Sequence, residues 1–214
     1  MTSFALIAFV LAAHAEPSLM KVASAAPAEW PAGLRDAMEP EAWSIAGDGL
    51  AMTFRFRKEL TGKATEKQLK NGISARELIE GQLVGVLVLT KPWTDYRKQE
   101  IAAGTYTLRL GFQPDIGDHK GTAPYTEFLL LTPMADDEKP EDLDAESLRK
   151  RSVKAAGGDH PAVLLLTPHT GAGEPKLEAK KAGVRLFTLA RSVKLPEAAT
   201  IRLGIVVEGV SAAR

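Results

Sequence analysis

Three histidines lie beyond the first fifteen residues, His119, His160 and His169, and two of them directly follow an aspartate in Gly117-Asp118-His119 and Gly158-Asp159-His160. With Asp115 close by, the set His119, His160, Asp115 and Asp118 has the donor types of a divalent-metal site built from imidazole and carboxylate. The competing reading is turn chemistry. Asp and Gly are ordinary turn residues, and no His-x-His or His-x-x-x-His spacing joins any two of the three. A tight site needs three or four ligands at about 2 Å, each steadied by its own hydrogen bonds. His160 and His169 bracket a strand pattern that would span roughly 17 to 20 Å, so they are not expected to bind one ion. At most a weak site of His119, His160 and Asp115 or Asp118 survives. The expectation is therefore no resident metal and no cofactor.

Other chemistries fare worse. With no cysteine, the chain has no thiolate ligand, catalytic thiol, disulfide or lipobox anchor. It contains no Gly-x-Ser-x-Gly elbow, phosphate-binding Gly-x-x-x-x-Gly-Lys-Ser/Thr loop, Gly-x-Gly-x-x-Gly fingerprint or His-Glu-x-x-His. Gly171-Ala172-Gly173 runs into Glu174-Pro175, which spoils it as a phosphate cradle feeding a helix. Scattered carboxylates cannot be paired from sequence into a glycosidase dyad. Lysine plus arginine and aspartate plus glutamate each number 27, so no global field gathers nucleic acid. Among aromatics, Trp43, Trp93 and Tyr96 matter most. Trp93 and Tyr96 are the candidates for a ligand surface, since an exposed coplanar pair would suit glycan stacking, whereas buried rings, the expectation, belong to the core.

The N-terminus gives an address. Met1 to Ala15 carries no charged side chain, Phe4 to Ala13 is an apolar run of signal-peptide length, and Ala13-His14-Ala15 supplies a small-x-small cleavage pattern. Cleavage would leave Glu16 first and place the protein in the periplasm or outside the cell. The n-region lacks the usual lysine or arginine. No later run approaches the ~18 to 20 apolar residues of a membrane span.

The elements that must position these residues read mostly as strands. Residues 16–40 are rich in Ala and Pro, a tether or an extended edge segment, and residues 41–214 suit one domain. Trp43 to Ala46 and Leu50 to Arg57 flank the turn Gly47-Asp48-Gly49 as a hairpin, with Arg55 and Arg57 on the outer, solvated face. The stretch 61–81 contains two capping-box patterns, Thr65 with Gln68 and Ser74 with Glu77, and is expected to be irregular with helical turns. Leu83 to Leu89 is apolar apart from Gly85, the pattern of a mid-sheet strand covered on both faces. Gly104 to Phe112 alternates as a half-buried strand: Tyr106, Leu108, Leu110 and Phe112 face one way, Thr105, Thr107 and Arg109 the other. Glu141 to Ala155 has helix character, with acids near its start, Arg149, Lys150 and Arg151 near its end, and Gly157-Gly158 as the stop. Val163 to Leu166, Val184 to Arg191 and Thr200 to Glu208 complete an all-β chain. The predicted fold is an antiparallel β-sandwich with one inserted helix, a barrel being the alternative.

Two stretches share a pattern, Asp118-His119 ahead of Leu129-Leu130-Leu131-Thr132-Pro133 and Asp159-His160 ahead of Leu164-Leu165-Leu166-Thr167-Pro168. They suggest two strands in one layer. Gly104-Thr105-Tyr106-Thr107-Leu108 resembles the strand opening of many secreted β-sandwich modules. Asp118-His119 through Tyr125 to Pro133, with His160-Pro161-Ala162-Val163, is similar to exported bacterial proteins of unknown function. That resemblance, over about half the chain, implies export and a sandwich and carries no catalytic residue. Two functions follow as expectations. The first is a noncatalytic binding or accessory module for a protein, glycan or small ligand. The second is a hydrolase or metal-dependent enzyme built on the His119 and His160 loops.

Overall fold

The structure is a computed structural model that describes residues 16–114, 123–169 and 173–210. In chain order its elements are β1 (Ser18–Ala23), α1 (Ala32–Ala37), β2 (Glu41–Gly47), β3 (Leu50–Phe56), β4 (Leu60–Thr61), α2 (Glu66–Asn71), β5 (Leu83–Leu89), β6 (Trp93–Thr94) and β7 (Glu100–Ile101). There follow β8 (Gly104–Phe112), β9 (Glu127–Pro133), α3 (Ala145–Ala156), β10 (Val163–Pro168), β11 (Lys176–Ala179), β12 (Arg185–Lys194) and β13 (Ala199–Glu208). One large sheet runs β1-β2-β3-β5-β8-β9-β10-β13-β12-β11, with β6 and β7 forming a separate ribbon. Its pairings are antiparallel except that β4 joins β12 in parallel.

β10 makes this sheet two layers. Its first half pairs with β9 (Val163 opposite Leu130) and its second half with β13 (Leu166 opposite Ile205). The strands from β1 to β9 thus fold over β13, β12 and β11. Phe187 of β12 closes the gap from one side, its ring centroid 5.3 Å from Phe54 and 6.0 Å from Phe56 of β3, and 6.4 Å from Trp43 of β2. Around them Ile45, Leu87, Leu108, Leu131, Leu164, Ile201 and Ile205 form one core, all fully buried. The fold is sandwich-like, and the sheet does not close into a barrel.

Local sequence explains the turns. Asp48 and Gly49 both have positive φ (46° and 84°), the geometry of a two-residue hairpin turn that follows the strand twist. Both capping boxes in 61–81 form, at Thr65 with Gln68 ahead of α2 and at Ser74 with Glu77 ahead of a short 3-10 turn. The two Leu-Leu-Leu-Thr-Pro stretches are β9 and β10, adjacent and antiparallel.

The outer faces depart from expectation. Arg55 and Arg109 are only 4% and 0% exposed, where solvated and half-exposed strand faces were expected. The reason is a third layer. Trp30, Leu34 and Met38, in and around α1, pack on the outward Leu83 and Val86 of β5, and Leu148 of α3 packs on Leu130 and Val163. The mid-sheet strand β5 is accordingly covered on both sides. α3 starts at Ala145, later than the acidic run suggested, because Asp144 caps it by accepting from the Glu146 and Ser147 N–H groups. Residues 137–144 instead lie against β8. Within 16–40 the chain supplies the edge strand β1, whose residues are exposed or half-buried.

Candidate functional site

A shallow cleft opens at one end of the sandwich, with a volume of 260 Å3, lined by Gly49, Leu50, Pro92, Trp93, Thr94 and residues 207–210. The β2–β3 turn forms one rim. The end of β13 forms the other, and Pro92 to Thr94 lies between. Trp93 fixes the arrangement: its indole N–H donates to the Val207 carbonyl at 2.8 Å, which ties β6 to β13 across 114 positions of sequence. Its ring is 8% exposed, so it serves as a wall.

Charge gathers on the rim. Arg185 Nε donates to Glu208 Oε2 at 2.8 Å, and Arg185 Nη1 lies 3.6 Å from Glu16 Oε2. The hydrogen bond to Glu208 is the largest of the influences raising the Arg185 pKa, with Glu16 and Asp48 contributing. Glu208, at the end of β13, and Glu16, the first described residue, thus share one guanidinium, and the charge of Asp48 in the hairpin turn adds to the rise in the Arg185 pKa. Lys91, exposed next to Pro92, is a second cation beside the cleft.

The aromatic candidates do not form a platform. Tyr96 is half-buried and packs between Leu130, Leu148 and Val163 on one side and Leu165, Leu186 and Val206 on the other. Among the described residues no ring contact joins it to Trp93. Trp43 is half-buried against Phe187, with Lys21 Nζ 5.9 Å from its ring centroid. His160 is exposed beyond α3, and His169 is half-buried at the far end of β10. Six residues of strand separate them, as the spacing suggested. Among the described residues no group of three His, Asp or Glu side chains could hold a metal ion. His119, Asp115 and Asp118 lie outside the described residues.

Sequence reasoning passed over the buried charges. The Asp95 carboxylate accepts four N–H groups, from Arg97 N (2.8 Å), Gln99 N (2.9 Å), Gln99 Nε2 (2.9 Å) and Val163 N (3.1 Å). Burial raises its pKa above the usual carboxylate range, and the four donors offset only part of that rise. Asp137 takes a two-pronged contact from Arg109 and a hydrogen bond from Thr107. Glu127, 6% exposed, takes Arg76 Nε at 2.5 Å and Thr126 Oγ1 at 3.0 Å. Asp95 carried a local turn signal, with Arg97 and Gln99 two and four residues on, but the distant donors that fix these acids in the fold, Val163, Arg76 and Arg109, stand 68, 51 and 28 positions away.

The arrangement offers a cleft with paired charges at its rim, and buried acids engaged in holding the frame. No protein-family model, no curated protein and no solved structure matches the chain.

Proposed function

We propose that the protein is an exported, noncatalytic binding or accessory module, periplasmic or secreted, that presents the Trp93 end of its sandwich to a partner protein, glycan or small ligand. One observation carries the noncatalytic reading: each buried carboxylate among the described residues, Asp95, Glu127 and Asp137, is engaged by a donor from a distant segment, Val163 N, Arg76 and Arg109 in turn, and so ties one part of the fold to another. None of the three lines the cleft, where a general acid or base would have to face its substrate. Export rests on the apolar run and the Ala13-His14-Ala15 pattern, and the resemblance to exported bacterial β-sandwich proteins agrees with it. Zero formal net charge speaks against nucleic acid as the partner. No described helix is long and apolar enough to cross a membrane.

The test has two parts. Protein made in a bacterial host should be recovered from the periplasm or medium with Glu16 as its first residue; an intact Met1 chain in the cytoplasm would end the export reading. The purified protein should contain no stoichiometric metal and should not turn over chromogenic esters, phosphates or glycosides. Close to one zinc or copper per chain, lost together with turnover in a His119→Ala/His160→Ala variant, would put the enzyme reading in its place.

A further inference from the structure

We propose that Lys21 keeps the long free edge of the sheet closed to strand addition, above all to pairing with the β1 strand of a second copy of this chain. The proposal goes beyond the binding-module reading and holds whatever the Trp93 cleft takes. Among the described residues β1 ends the sheet order, so one side of Ser18–Ala23 has no hydrogen-bonding neighbour. Such an edge offers its unused N–H and C=O groups to any extended chain. β11, the other end of the order, is only four residues long; it comes near β1 from the opposite layer without pairing with it. The seam between these two edges is apolar, with Leu19, Trp43 and Leu177 half-buried against the core. Open backbone beside apolar side chains is the combination that invites an added strand.

Register puts Lys21 in that seam. Residues directly opposite in a sheet share a face, and the row Lys21, Trp43, Phe54 runs across β1, β2 and β3. Trp43 and Phe54 both approach Phe187 of the opposite layer, so the row faces inward. The row beside it, Leu19, Ile45, Met52, faces inward too, with Ile45 and Met52 buried. Lys21 thus carries an ammonium on the core-facing side of an edge strand. Its side chain is 49% exposed, with Nζ 2.6 Å from Glu41 Oε1 and 5.9 Å from the centroid of the Trp43 ring. A strand added here would lay its inner-face side chains against that ammonium and draw it out of water beside a single carboxylate, which opposes pairing. A second copy meets a further obstacle. Antiparallel pairing about a twofold axis normal to the sheet keeps inner face beside inner face, so in the best-overlapped registers Lys21 comes opposite its counterpart or opposite Leu19. The two lysines then stand directly or diagonally across the pair, about 5 to 8 Å apart at Cβ, and like charges so placed repel.

The test is the oligomeric state of the purified protein by sedimentation, with hydrogen exchange of the β1 amides as a second readout. Wild type and Lys21→Arg, which keeps the charge, should stay monomeric at submillimolar concentration. Lys21→Val, an apolar residue of high strand propensity in the inward row, should self-associate at least about tenfold more tightly than wild type. In that dimer the amides of Ser18–Ala23 that wild type leaves open to solvent should exchange at least about tenfold more slowly. Lys21→Thr, uncharged but polar, should shift in the same direction by less, and it serves where Lys21→Val fails to fold. Folded Lys21→Val or Lys21→Thr protein that associates no more than wild type would overturn the proposal. So would a wild-type dimer with slowly exchanging β1 amides. A Lys21→Val dimer whose β1 amides exchange as fast as in wild type would overturn it too, since the contact would then lie away from this edge.

Discussion

Arg109 of β8 and Asp137, 28 positions apart, meet in the interior with Nε to Oδ2 at 2.6 Å and Nη2 to Oδ1 at 2.9 Å. The remaining N–H groups of the guanidinium reach the carbonyls of Gly81, Lys139 and Glu141, so all five donors of the side chain are used. Thr107 adds a hydroxyl hydrogen bond to the same carboxylate. This pair fastens the segment ahead of α3 to the outer face of the first layer.

Removing Arg109 leaves the buried Asp137 with only the longer 3.4 Å contact from the half-exposed Arg151, and removing Asp137 strands the guanidinium. Arg109→Met should therefore cost about 3 to 5 kcal/mol in urea unfolding. The Arg109→Met/Asp137→Leu double variant should lose less than the sum of the two single changes, by about 1 kcal/mol or more. Strict additivity would show that the two side chains do not act as a unit.

Gly81 lies in the same junction. Its φ is +81°, and a Cβ built there would stand 1.7 Å from the Leu143 carbonyl oxygen, which is backbone and cannot swing aside. Gly81→Ala should destabilise by about 3 kcal/mol or more, since backbone strain and a steric clash add. Gly72→Ala makes the control: φ is +87° there with open space around it, so only strain remains, about 1 to 3 kcal/mol. Equal effects of the two changes in thermal unfolding would refute the close approach.

Asp95 should leave a signature in the acid range. Burial raises its folded pKa above the unfolded value of about 3.9, so between those two values the folded state holds the proton more firmly than the unfolded chain does. The stability from this group is fully present below the unfolded pKa and is lost as pH rises through the folded pKa. Asp95→Asn removes the titration and presents an amide N–H₂ to donors that need acceptors, at a cost of about 1 to 3 kcal/mol near neutral pH. Wild type's advantage over the variant should therefore be larger at acid pH and shrink toward pH 7. An advantage that grows across that interval in denaturant titrations would contradict the burial argument.

The core makes a plainer prediction. Leu108 of β8 and Ile205 of β13 are both fully buried and come from opposite layers of one cluster. Leu108→Ala and Ile205→Ala should each lose about 2 to 5 kcal/mol. A loss below about 0.5 kcal/mol at either position, the scale of a surface change, would mean that layer contributes no packed core there.

Period-two alternation at Leu50 to Arg57, Gly104 to Phe112 and Thr200 to Glu208 marked the strands from sequence to within a residue of their ends, because an apolar residue at every second position can be buried only on one side of a sheet. Capping boxes at Thr65 and Ser74, the Asp48-Gly49 turn and the Gly157 helix stop were legible for the same reason, since each is closed by atoms a few residues apart. The edge strand β1 was legible only as one of two options for residues 16–40, a tether or an extended edge segment, and the short β11 was not legible at all, because their residues stay exposed or half-buried and carry no strong apolar rhythm. Nor could alternation tell a solvated outer face from a covered one: Arg55, Thr107 and Arg109 occupy polar positions of the pattern whether water or a third layer lies above them. Tertiary packing decided that by bringing Trp30, Leu34 and residues 137–144 onto that face. It also decided the cleft, whose walls meet only because Trp93 reaches Val207 across the fold and Glu16, Asp48, Arg185 and Glu208 arrive from four separate segments. Contacts of that range leave no period in a sequence, since each residue's neighbours along the chain say nothing of what the sheet order places beside it.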